Sequence, residues 1–554
     1  MKKFTILILL VSFGSFVFSQ ISNQKPILKI TSETEEEIIM EFNLNSYYFE
    51  QVETSRGLAN VTKIPGCSNN YTKGTPDLAY YTKAINIPAK GNVHCEVLNY
   101  NYIVIPDILI APSRGSIMRN IDPQTVPYEY GKEYSINAFM PDKQAFLSEP
   151  YIIHKLRGTN LTIVPFSYNP VTRELRIYTD ILLKLTFDSN SSSKNELTVS
   201  NNKVADEFLN LYKRHFVNFH NNSKYTPLED GTPGKMLIIC ADNYASAMYP
   251  YISWKREKGI EVEMVLKSQV GTTSTQIKSF IQNYYNNNEL TYVLLVGDGP
   301  DIPPMTISNN DSDNGYAYLN GSDGYADVFI GRFSGNSVAD IQIQVQKMIY
   351  YERDMGVDAA WLENAFGSAS SEGGGSTGHN GGESDVVHLN LIKTKLENYG
   401  YTVTHVNQDG GNNAMITTAF NSGMGVANYI GHGDVTLWVN TNFTNTNVNA
   451  LTNNYKLPFI FSVACVNGDF KNNTCFAETW LRASNNGQPT GAVGFLGSTI
   501  NQSWNEPMTG QDEMNDILVE SYQNNIKRTY GGICFNGLFK MIEDCPKPVI
   551  AIVN

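Results

Sequence analysis

The stretch PFIFSVACVNGDF, residues 458–470, decides how the second half of this 554-residue chain is interpreted. It opens with a run of apolar and small residues and closes with turn-forming residues, and Cys465 lies between the two. A short apolar run bounded by turn residues predicts a buried strand. In an open parallel sheet, sites form just past the carboxyl ends of the strands. The stretch therefore predicts a strand that presents a thiol at the edge of a sheet.

An alternation of apolar strands and amphipathic helices begins at Lys235 and continues past this stretch. Strands are predicted at KMLIICA, EVEMVLK, YVLLVGD, ADVFIGRFS, ENAFGSAS, YTVTHV and MGVANYIGHG, with helices such as STQIKSFIQNYYNN and VVHLNLIKTKLENYG between them. This order is typical of a mostly parallel sheet with helices on its faces. We expect an α/β domain over residues 225–554, built as two successive α/β halves, about 225–358 and 359–554.

Residues 20–224 have a different pattern. Short β-rich runs such as ILKITSETEEEIIMEF and TRELRIYTDILLKLTF alternate with Pro, Gly and Asn turns, which predicts a β-rich domain that ends near Lys224. Ahead of it, Lys2 and Lys3 precede an apolar run, the pattern of a secretory signal peptide over residues 1–19. We therefore expect export, and no membrane span once that peptide is removed.

Composition narrows the class of partner. The formal net charge of −13 argues against nucleic acid and suits bound cations, and we expect no organic cofactor. Seven cysteines in a chain of this length do not make a disulfide framework. Cys67 with Cys95, and Cys465 with Cys475, are the candidate pairs.

A histidine ends the predicted strand before Cys465. His432 lies between Gly431 and Gly433, at the end of MGVANYIGHG. If the two strands are neighbours, the thiol and the imidazole face one cleft as a nucleophile and its base, with the Gly433 N–H as a candidate oxyanion donor. The alternative is a buried cysteine and a structural loop histidine.

Several stretches carry a resemblance to a known family. NYIGHGDVTLW, LPFIFSVACVNGDF, STINQSWNEPMTGQDEMNDIL and NNIKRTYGG resemble the gingipains, secreted bacterial cysteine endopeptidases with a caspase-like catalytic domain, and the arginine-specific branch looks nearest. DILIAPSRGSIMRN and YNPVTRELRIYTDI resemble the gingipain propeptide. The resemblance implies a caspase-like α/β domain preceded by a β-rich inhibitory propeptide.

The resemblance also implies roles for site residues. Cys465 matches the nucleophile, His432 the general acid/base, and Glu372 the acidic residue that supports the histidine. The N–H groups of Gly433 and Cys465 would hold the oxyanion.

Arginine specificity would depend on a further carboxylate. Asp385 matches the base of the specificity pocket, and Trp504 and Met508 match its walls. Without the resemblance, the simpler interpretation of Asp385 is a carboxylate that stabilises the start of the following helix.

Structural calcium, at two or more sites, is a further implication of the resemblance. Its oxygen-rich ligands form two groups in the sequence. The first group is Asp298, Asn320, Asp323, Tyr325, Asp327, Glu383 and His388. The second group is the Phe470 carbonyl with Glu478, Asp512, Glu513 and Asp516. The alternative is solvated surface charge.

Latency is expected to come from the propeptide itself. Arg114 and Arg119 lie in the stretch that resembles the inhibitory loop, and one of them is expected to occupy the pocket like a substrate. Maturation is expected before Tyr225, but that residue follows Lys224, so the enzyme tolerates lysine, another protease acts, or cleavage falls elsewhere, for example at Arg214. The C-terminal end looks truncated relative to the family.

These implications lead to one expected function and two alternatives. We expect a secreted or cell-surface endopeptidase, made as a zymogen, that cleaves proteins and peptides after arginine. One alternative is a related sortase or signal peptidase of the type IX secretion system. The other is an inactive, calcium-stabilised adhesin or binding module.

Overall fold

The computed structural model describes residues 24–198, 203–220, 225–226, 228–357, 359–373, 383–471, 474–522 and 529–544. The expected signal peptide, Lys224 and the C-terminal end lie outside the described residues. Within the described ranges, no helix combines the length and the apolar character needed to cross a membrane.

The N-terminal region is β-rich, as the sequence predicts. Two five-stranded antiparallel sheets enclose an apolar core that includes Met40, Phe42, Leu161 and Leu183. The first sheet contains Ile27–Glu33, Glu37–Asn43, Asn92–Ile105, Phe166–Asn169 and Glu174–Asp188. The second contains Ser68–Asn69, Ala79–Ile87, Ala145–Leu147, Tyr151–Ile153 and Leu156–Ile163. A separate hairpin joins Tyr48–Thr54 to Gly57–Lys63.

One helix of the N-terminal region packs into the other domain. The helix Asp206–His215 follows the short strand Lys203–Ala205, which pairs with Glu229–Thr232. Its apolar face places Phe208 and Leu211 in the same buried cluster as Ile239. The two domains therefore share a core.

The first α/β half contains a four-stranded parallel sheet in the order β2-β1-β3-β4. Its strands are β1 (Lys235–Cys240), β2 (Glu261–Leu266), β3 (Leu290–Val296) and β4 (Phe329–Phe333). Its long helices are α1 (Ala245–Glu257), α2 (Ser274–Asn287) and α3 (Val338–Ile349). Residues on both faces of β1 are buried, as expected for a parallel sheet covered by helices.

The second half contains a five-stranded parallel sheet in the order β6-β5-β7-β8-β9. Its strands are β5 (Asn364–Ala369), β6 (Thr402–His405), β7 (Val426–Ile430), β8 (Phe459–Val463) and β9 (Gly494–Leu496). Its longer helices are α4 (Asp385–Tyr399), α5 (Asn413–Ser422), α6 (Phe476–Arg482), α7 (Asn505–Leu518) and α8 (Tyr530–Asp544).

The remaining elements are short. Helices run over Lys267–Val270 and Asn445–Asn449, and two-stranded ribbons join Met305–Ile307 to Asn310–Ser312 and Ser484–Asn485 to Gln488–Pro489. A three-stranded ribbon beside His432 contains Gly433–Asp434, Leu437–Trp438 and Phe443–Thr444.

The register of the central strands positions the site. Ala369 of β5 pairs with Ile430 of β7, and Ile430 pairs with Val463 of β8. The three strands therefore end level with one another, and the residues that follow them meet at one edge of the sheet.

The cysteine pairs suggested by the sequence do not form. Cys67, Cys95, Cys465 and Cys475 are all free thiols. Burial raises the pKa of Cys67 to about 12 and of Cys95 to about 11, so both are neutral thiols at ordinary pH.

Candidate active site

Three adjacent strand ends bring together the residues that the sequence places in the catalytic centre. Glu372 follows β5, His432 follows β7 and Cys465 follows β8. His432 and Cys465 each come two residues after the paired residues Ile430 and Val463, so they leave the sheet at the same level. The order of the strands thus sets the order carboxylate, imidazole, thiol.

The main chain of His432 is held on both sides. Its N–H donates to Asn440 Oδ1 at 3.0 Å. Its carbonyl accepts from the Tyr429 hydroxyl at 2.7 Å and from the Val439 N–H at 3.1 Å. The Nε2 atom of the ring lies 2.9 Å from Glu372 Oε2. Glu372 therefore fixes one ring nitrogen and leaves Nδ1 for proton transfer.

Cys465 is buried, with 3% of its surface exposed. Its Sγ accepts a hydrogen bond from the Gln502 N–H at 3.4 Å. Burial raises the pKa of the thiol, and the Arg119 guanidinium partly opposes that shift. In this state the group is held as a neutral thiol, the less nucleophilic form.

A strained residue follows the thiol. Val466 has φ of +49°, a left-handed conformation that is rare for a β-branched residue. Such strain persists only where the surroundings hold it, and here the Val466 N–H donates to the Ile500 carbonyl at 3.1 Å.

Gly433 allows the histidine and cysteine loops to approach each other. A Cβ at Gly433 would lie 2.4 Å from the Cys465 carbonyl oxygen, closer than any side chain allows. The absence of a side chain is therefore required by packing. The role of the Gly433 N–H as an oxyanion donor stays a prediction.

An arginine from the N-terminal domain fills the predicted specificity pocket. Arg119 is fully buried, and Asp385 is 1% exposed. Arg119 Nη1 donates to Asp385 Oδ2 at 2.9 Å and Oδ1 at 3.2 Å, and Nη2 donates to Oδ1 at 3.3 Å. The Ser370 hydroxyl donates to Asp385 Oδ2 at 2.6 Å. Of the two candidate arginines, Arg119 is the one in the pocket.

The two predicted walls of the pocket lie in different surroundings. The Arg119 guanidinium carbon lies 4.4 Å from the centre of the Trp504 ring, and Arg119 Nη2 donates to the Trp504 carbonyl at 3.3 Å. A guanidinium over an indole face makes a favourable cation–π contact. Met508 lies in the apolar cluster that contains Ala369, Ile430 and Val463, so it packs beneath the ends of the strands.

The segment around Arg119 pairs with the catalytic domain as a short antiparallel strand. The Arg119 N–H donates to the Gln502 carbonyl at 2.7 Å, and the Trp504 N–H donates to the Ile117 carbonyl at 2.9 Å. Beyond the pocket the chain turns at once, because the Ile121 N–H donates to the Met118 carbonyl at 3.0 Å.

Arg114 has a different role from the one offered by the sequence. Its Nη1 donates to the carbonyls of Pro123 at 2.7 Å and Val126 at 3.1 Å, and its guanidinium lies 4.7 Å from the Tyr128 ring centre. Arg114 therefore stabilises the loop that carries Arg119 by hydrogen bonds to carbonyls of that loop.

The predicted calcium ligands do not form the two groups expected. Asp298 and Glu478 lie on either side of the same arginine. Arg482 Nη2 contacts Asp298 Oδ2 at 3.2 Å and Glu478 Oε1 at 2.5 Å. The Phe470 carbonyl lies near Asp298, because its oxygen is 3.3 Å from where a Cβ would stand on the next residue, Gly299. Asp298 faces Arg482 of the second α/β half, whereas Asp323 and Asp327 face Ile152 and His154 of the N-terminal domain.

Asp323 and Asp327 form a second cluster, with Asn320 and Tyr325. Asp323 Oδ1 accepts from the Tyr325 N–H at 3.0 Å, and Asp327 Oδ2 accepts from the Asn320 N–H at 2.7 Å. Burial raises the pKa of Asp323 to about 7 and raises that of Asp327 further.

The remaining predicted ligands are matched by protein cations. Glu383 Oε2 lies 3.1 Å from His388 Nδ1, and the pKa of His388 is raised because Asp512 and Glu383 outweigh its burial. Lys395 binds Asp512 at 3.0 Å and Asp516 at 2.8 Å. Glu513 is bound by Arg214 of the N-terminal domain at 2.5 Å. Within the described ranges, no three His, Cys, Asp or Glu side chains are arranged to hold a metal.

Sequence reasoning missed several residues that shape the site. Ser370, Tyr429 and Asn440 contact Asp385 or His432 but carry no motif of their own. Ser370 had one available signal, since it is the last residue of the predicted strand ENAFGSAS, at the edge of the sheet that the site uses.

Comparisons with known proteins agree with this arrangement. The sequence profile of peptidase family C25 matches residues 229–551, and that of the C25 propeptide matches residues 19–226. Gingipain R2 of Porphyromonas gingivalis is 39% identical over 99% of this chain and 75% of its own length. Gingipain R1 of the same organism is 40% identical over 99% of this chain, which spans 32% of that longer protein.

Solved structures give the same result. The crystal structure of the Arg-specific cysteine proteinase gingipain R (RgpB) matches with a TM-score of 0.56 and 44% identity, over 58% of this chain and 76% of that one. The complex of P. gingivalis RgpB pro- and mature domains matches with a TM-score of 0.55 and 45% identity, over 57% and 75% of the respective chains. The predicted caspase-like α/β fold with a β-rich prodomain is confirmed, and this chain belongs to peptidase family C25, as a cysteine peptidase made as a zymogen with its own propeptide.

Proposed function

We propose that the activated protein is a secreted endopeptidase that cleaves polypeptides after arginine. The observation that carries this proposal is the buried contact between Arg119 and Asp385, in which Arg119 stands in for the arginine of a substrate.

The chemistry of the pocket favours arginine over lysine. The planar guanidinium presents parallel N–H groups to both oxygens of Asp385 and a flat face to Trp504. A lysine ammonium is a point charge that makes one such contact and offers no plane to the indole. Gingipain R relatives, one of them an Arg-specific cysteine proteinase by name, support the same specificity.

The proposed reaction is acyl transfer through Cys465. His432 takes the proton of the Cys465 thiol at Nδ1, and the Sγ attacks the carbonyl carbon of the arginine, while backbone N–H groups, including those of Gly433 and Cys465, hold the oxyanion. His432 gives a proton to the leaving amine from Nδ1, and the peptide C–N bond breaks. Water, which loses a proton to His432, then attacks the thioester, releases the acid and restores the thiol. Glu372 holds the imidazole orientation throughout.

The propeptide would keep this machinery latent. Arg119 occupies the pocket and Cys465 is buried, so neither an arginine side chain nor its carbonyl can enter. Arg214, the alternative maturation point, is bound to Glu513 and to the Tyr522 hydroxyl, so it is a poor target in the folded zymogen.

The test is a matched pair of peptide substrates that differ only in arginine or lysine at the cleaved residue. After activation, the wild-type enzyme should cleave the arginyl peptide at least 10-fold more efficiently, and Cys465→Ala should abolish cleavage. Asp385→Asn should lower kcat/KM on the arginyl peptide by roughly 10²–10³-fold, since it removes the charged partner of a buried guanidinium. Asp409→Asn, on the exposed surface, is the matched control. Equal arginyl and lysyl rates would contradict the role given to Asp385.

Secretion rests on the predicted signal peptide over residues 1–19 and on the gingipain relatives. The two alternative functions are less well supported, because the relatives that match over 99% of this chain are gingipains R and the pocket already accepts an arginine.

We also propose one calcium position, at the loop that contains Asp323 and Asp327. Calcium prefers carboxylate and carbonyl oxygens, and these two buried carboxylates are contacted by backbone N–H groups. Asp327 Oδ2 accepts two backbone N–H groups, whereas the other three carboxylate oxygens accept one each and retain acceptor capacity for a metal. The clusters at Glu478 and Asp512 fit less well, because Arg482 and Lys395 already neutralise them. The ion would hold this loop in place and take no part in the reaction.

Removal of calcium should therefore lower thermal stability. Chelation should lower the Tm of the activated enzyme, and Asp327→Asn should abolish that sensitivity, whereas Asp512→Asn should preserve it. An unchanged Tm after chelation, measured by calorimetry, would contradict the proposal.

A further inference from the structure

Ser370 lies between the specificity pocket and the catalytic histidine. It follows β5 directly, is fully buried, and is fixed by its own N–H, which donates to the Ile430 carbonyl at 3.0 Å. Its hydroxyl donates to Asp385 Oδ2 at 2.6 Å and accepts from the Glu372 N–H at 3.1 Å. One hydroxyl thus contacts both the carboxylate that binds arginine and the residue that orients His432.

A second link runs through the backbone. The Asp385 N–H donates to the Glu372 carbonyl at 3.0 Å. Both main-chain polar atoms of Glu372 are therefore held, the N–H by Ser370 and the carbonyl by Asp385. The side chain of Glu372 in turn lies 2.9 Å from His432 Nε2.

From these contacts we propose that Ser370 is a positioning residue that couples arginine in the pocket to the orientation of the catalytic histidine. The connection runs from the guanidinium to Asp385, Ser370, Glu372 and His432, and every hydrogen bond in it is 3.3 Å or shorter. The inference rests on the proposed function, because it assumes that substrate arginine binds as Arg119 does.

The physical basis is the state of the Asp385 carboxylate. A bound guanidinium neutralises the charge of the carboxylate and fixes its plane. The Ser370 hydroxyl then keeps its hydrogen bond to Asp385 Oδ2, and its oxygen remains in place to accept from the Glu372 N–H. Without a bidentate partner, the carboxylate can rotate and take up water, and Ser370 loses its fixed acceptor. Arginine would then increase turnover as well as binding, which is the behaviour of an interaction that is strongest in the transition state.

The chain offers a matched control. Ser368 lies two residues earlier on β5, is also fully buried, and its hydroxyl makes no hydrogen bond within the described residues. Ser368→Ala removes one buried hydroxyl from β5, and Ser370→Ala removes one from the residue directly after it. Only Ser370→Ala removes the hydrogen bonds that join Asp385 to Glu372.

The experiment compares kcat and KM of the activated wild type and both variants on arginyl and lysyl peptides. Ser370→Ala should lower kcat on the arginyl peptide by roughly 10-fold or more, the loss expected for a buried hydrogen bond to a charged group, with KM within about twofold. The ratio of arginyl to lysyl kcat should narrow, because a lysine ammonium fixes the carboxylate less well. Ser368→Ala should leave both constants close to wild type.

Three results would overturn the inference. These are a kcat equal to that of Ser368→Ala, a loss that appears only in KM, and an equal loss of kcat on the two peptides. If Ser370→Ala does not fold, as judged by its Tm, Ser370→Cys keeps the shape with a weaker hydrogen bond and is held to the same criteria. Failure of the wild type to cleave the arginyl peptide would instead contradict the proposed function.

Discussion

The propeptide covers acidic groups of the catalytic domain at Asp385 and at the Asp323–Asp327 loop, and it treats the charge of these two places in opposite ways. At Asp385 it supplies a guanidinium, so a buried charge meets a buried charge. At the Asp323–Asp327 loop it supplies main-chain N–H groups, from Ile152 to Asp323 Oδ2 and from His154 to Asp327 Oδ1. The first contact imitates a substrate, and the second closes over carboxylates without adding a positive charge.

The histidine at the second contact does not change this difference. His154 Nδ1 lies 2.9 Å from the Asp327 carbonyl, and the ring stacks on Phe208 at 4.3 Å. Burial lowers the pKa of His154 to about 3, so the ring is neutral at ordinary pH. The propeptide contact at Asp385 should therefore depend on a cation, and the contact at Asp323 should depend on pH.

The largest expected effect is at the first contact. Arg119→Ala leaves Asp385 buried without a cation, which costs about 3–5 kcal/mol, or roughly 10²–10⁴-fold in affinity between propeptide and enzyme. Arg119→Lys should be intermediate, because it keeps the charge and loses the bidentate geometry. The measurement is binding of the purified propeptide to activated enzyme that carries Cys465→Ala.

Arg173→Ala is the control for this series, because the Arg173 side chain forms an exposed ion pair with Asp107, within the propeptide. If Arg119→Ala bound as tightly as Arg173→Ala, the cation would contribute nothing and the comparison would collapse.

The next effect is expected from pH at the second contact, where the change in the pKa of Asp323 between the complex and the free enzyme corresponds to at most roughly 10³-fold in affinity. Burial raises the pKa of Asp323 to about 7 in the complex, and release of the propeptide should return it toward its ordinary value near 4. The Asp323 carboxyl then binds more protons in the complex than after release, so its contribution to propeptide affinity should be highest below about pH 4, fall as pH rises to about 7, and level off above that. Burial lowers the pKa of His154, and that histidine contributes with the opposite sign wherever release of the propeptide exposes it.

Titration of the propeptide with enzyme at several pH values, in the presence of a calcium chelator, measures this dependence. Asp323→Asn should remove the contribution of this carboxyl and so change the slope of affinity against pH between pH 4 and 7, while Asp385→Asn should weaken binding at every pH. Equal slopes for the wild type and Asp323→Asn over that range would show that the Asp323 contact is not pH-dependent.

The smallest expected effect is at the loop that presents Arg119. Arg114→Ala removes two hydrogen bonds to loop carbonyls and should weaken propeptide binding by about 1 kcal/mol, or roughly fivefold. A loss as large as that of Arg119→Ala would mean that the shape of the loop, and not its cation, dominates the first contact.

The sequence predicted the sheet because its strands carry a periodic signal. Apolar runs ending at Ile430 and Val463 could be recognised one by one, and parallel topology then required His432 and Cys465 to share an edge. That logic needs only local pattern and a general rule of packing.

The same logic fails where contacts depend on how loops fold. Arg114 and Arg119 lie five positions apart in one loop, and no periodicity shows that one closes the loop while the other enters the pocket. The positions of the predicted calcium ligands depend on loops in the same way. Asp298 and Asp323 belong to the same half of the domain, but they face different neighbours, Arg482 and Ile152.

The short pairing between Ile117–Arg119 and Gln502–Trp504 limits which proteins can be cut. A polypeptide that enters in the same way must offer the N–H of its arginine to Gln502 and a carbonyl two residues earlier to Trp504. An arginine inside a helix has already committed that N–H to its own helix. Target proteins would therefore be cleaved at frayed ends, exposed loops and locally unfolded segments. The cleavage rate would depend on how often the target unfolds locally, and not only on how many arginines it contains.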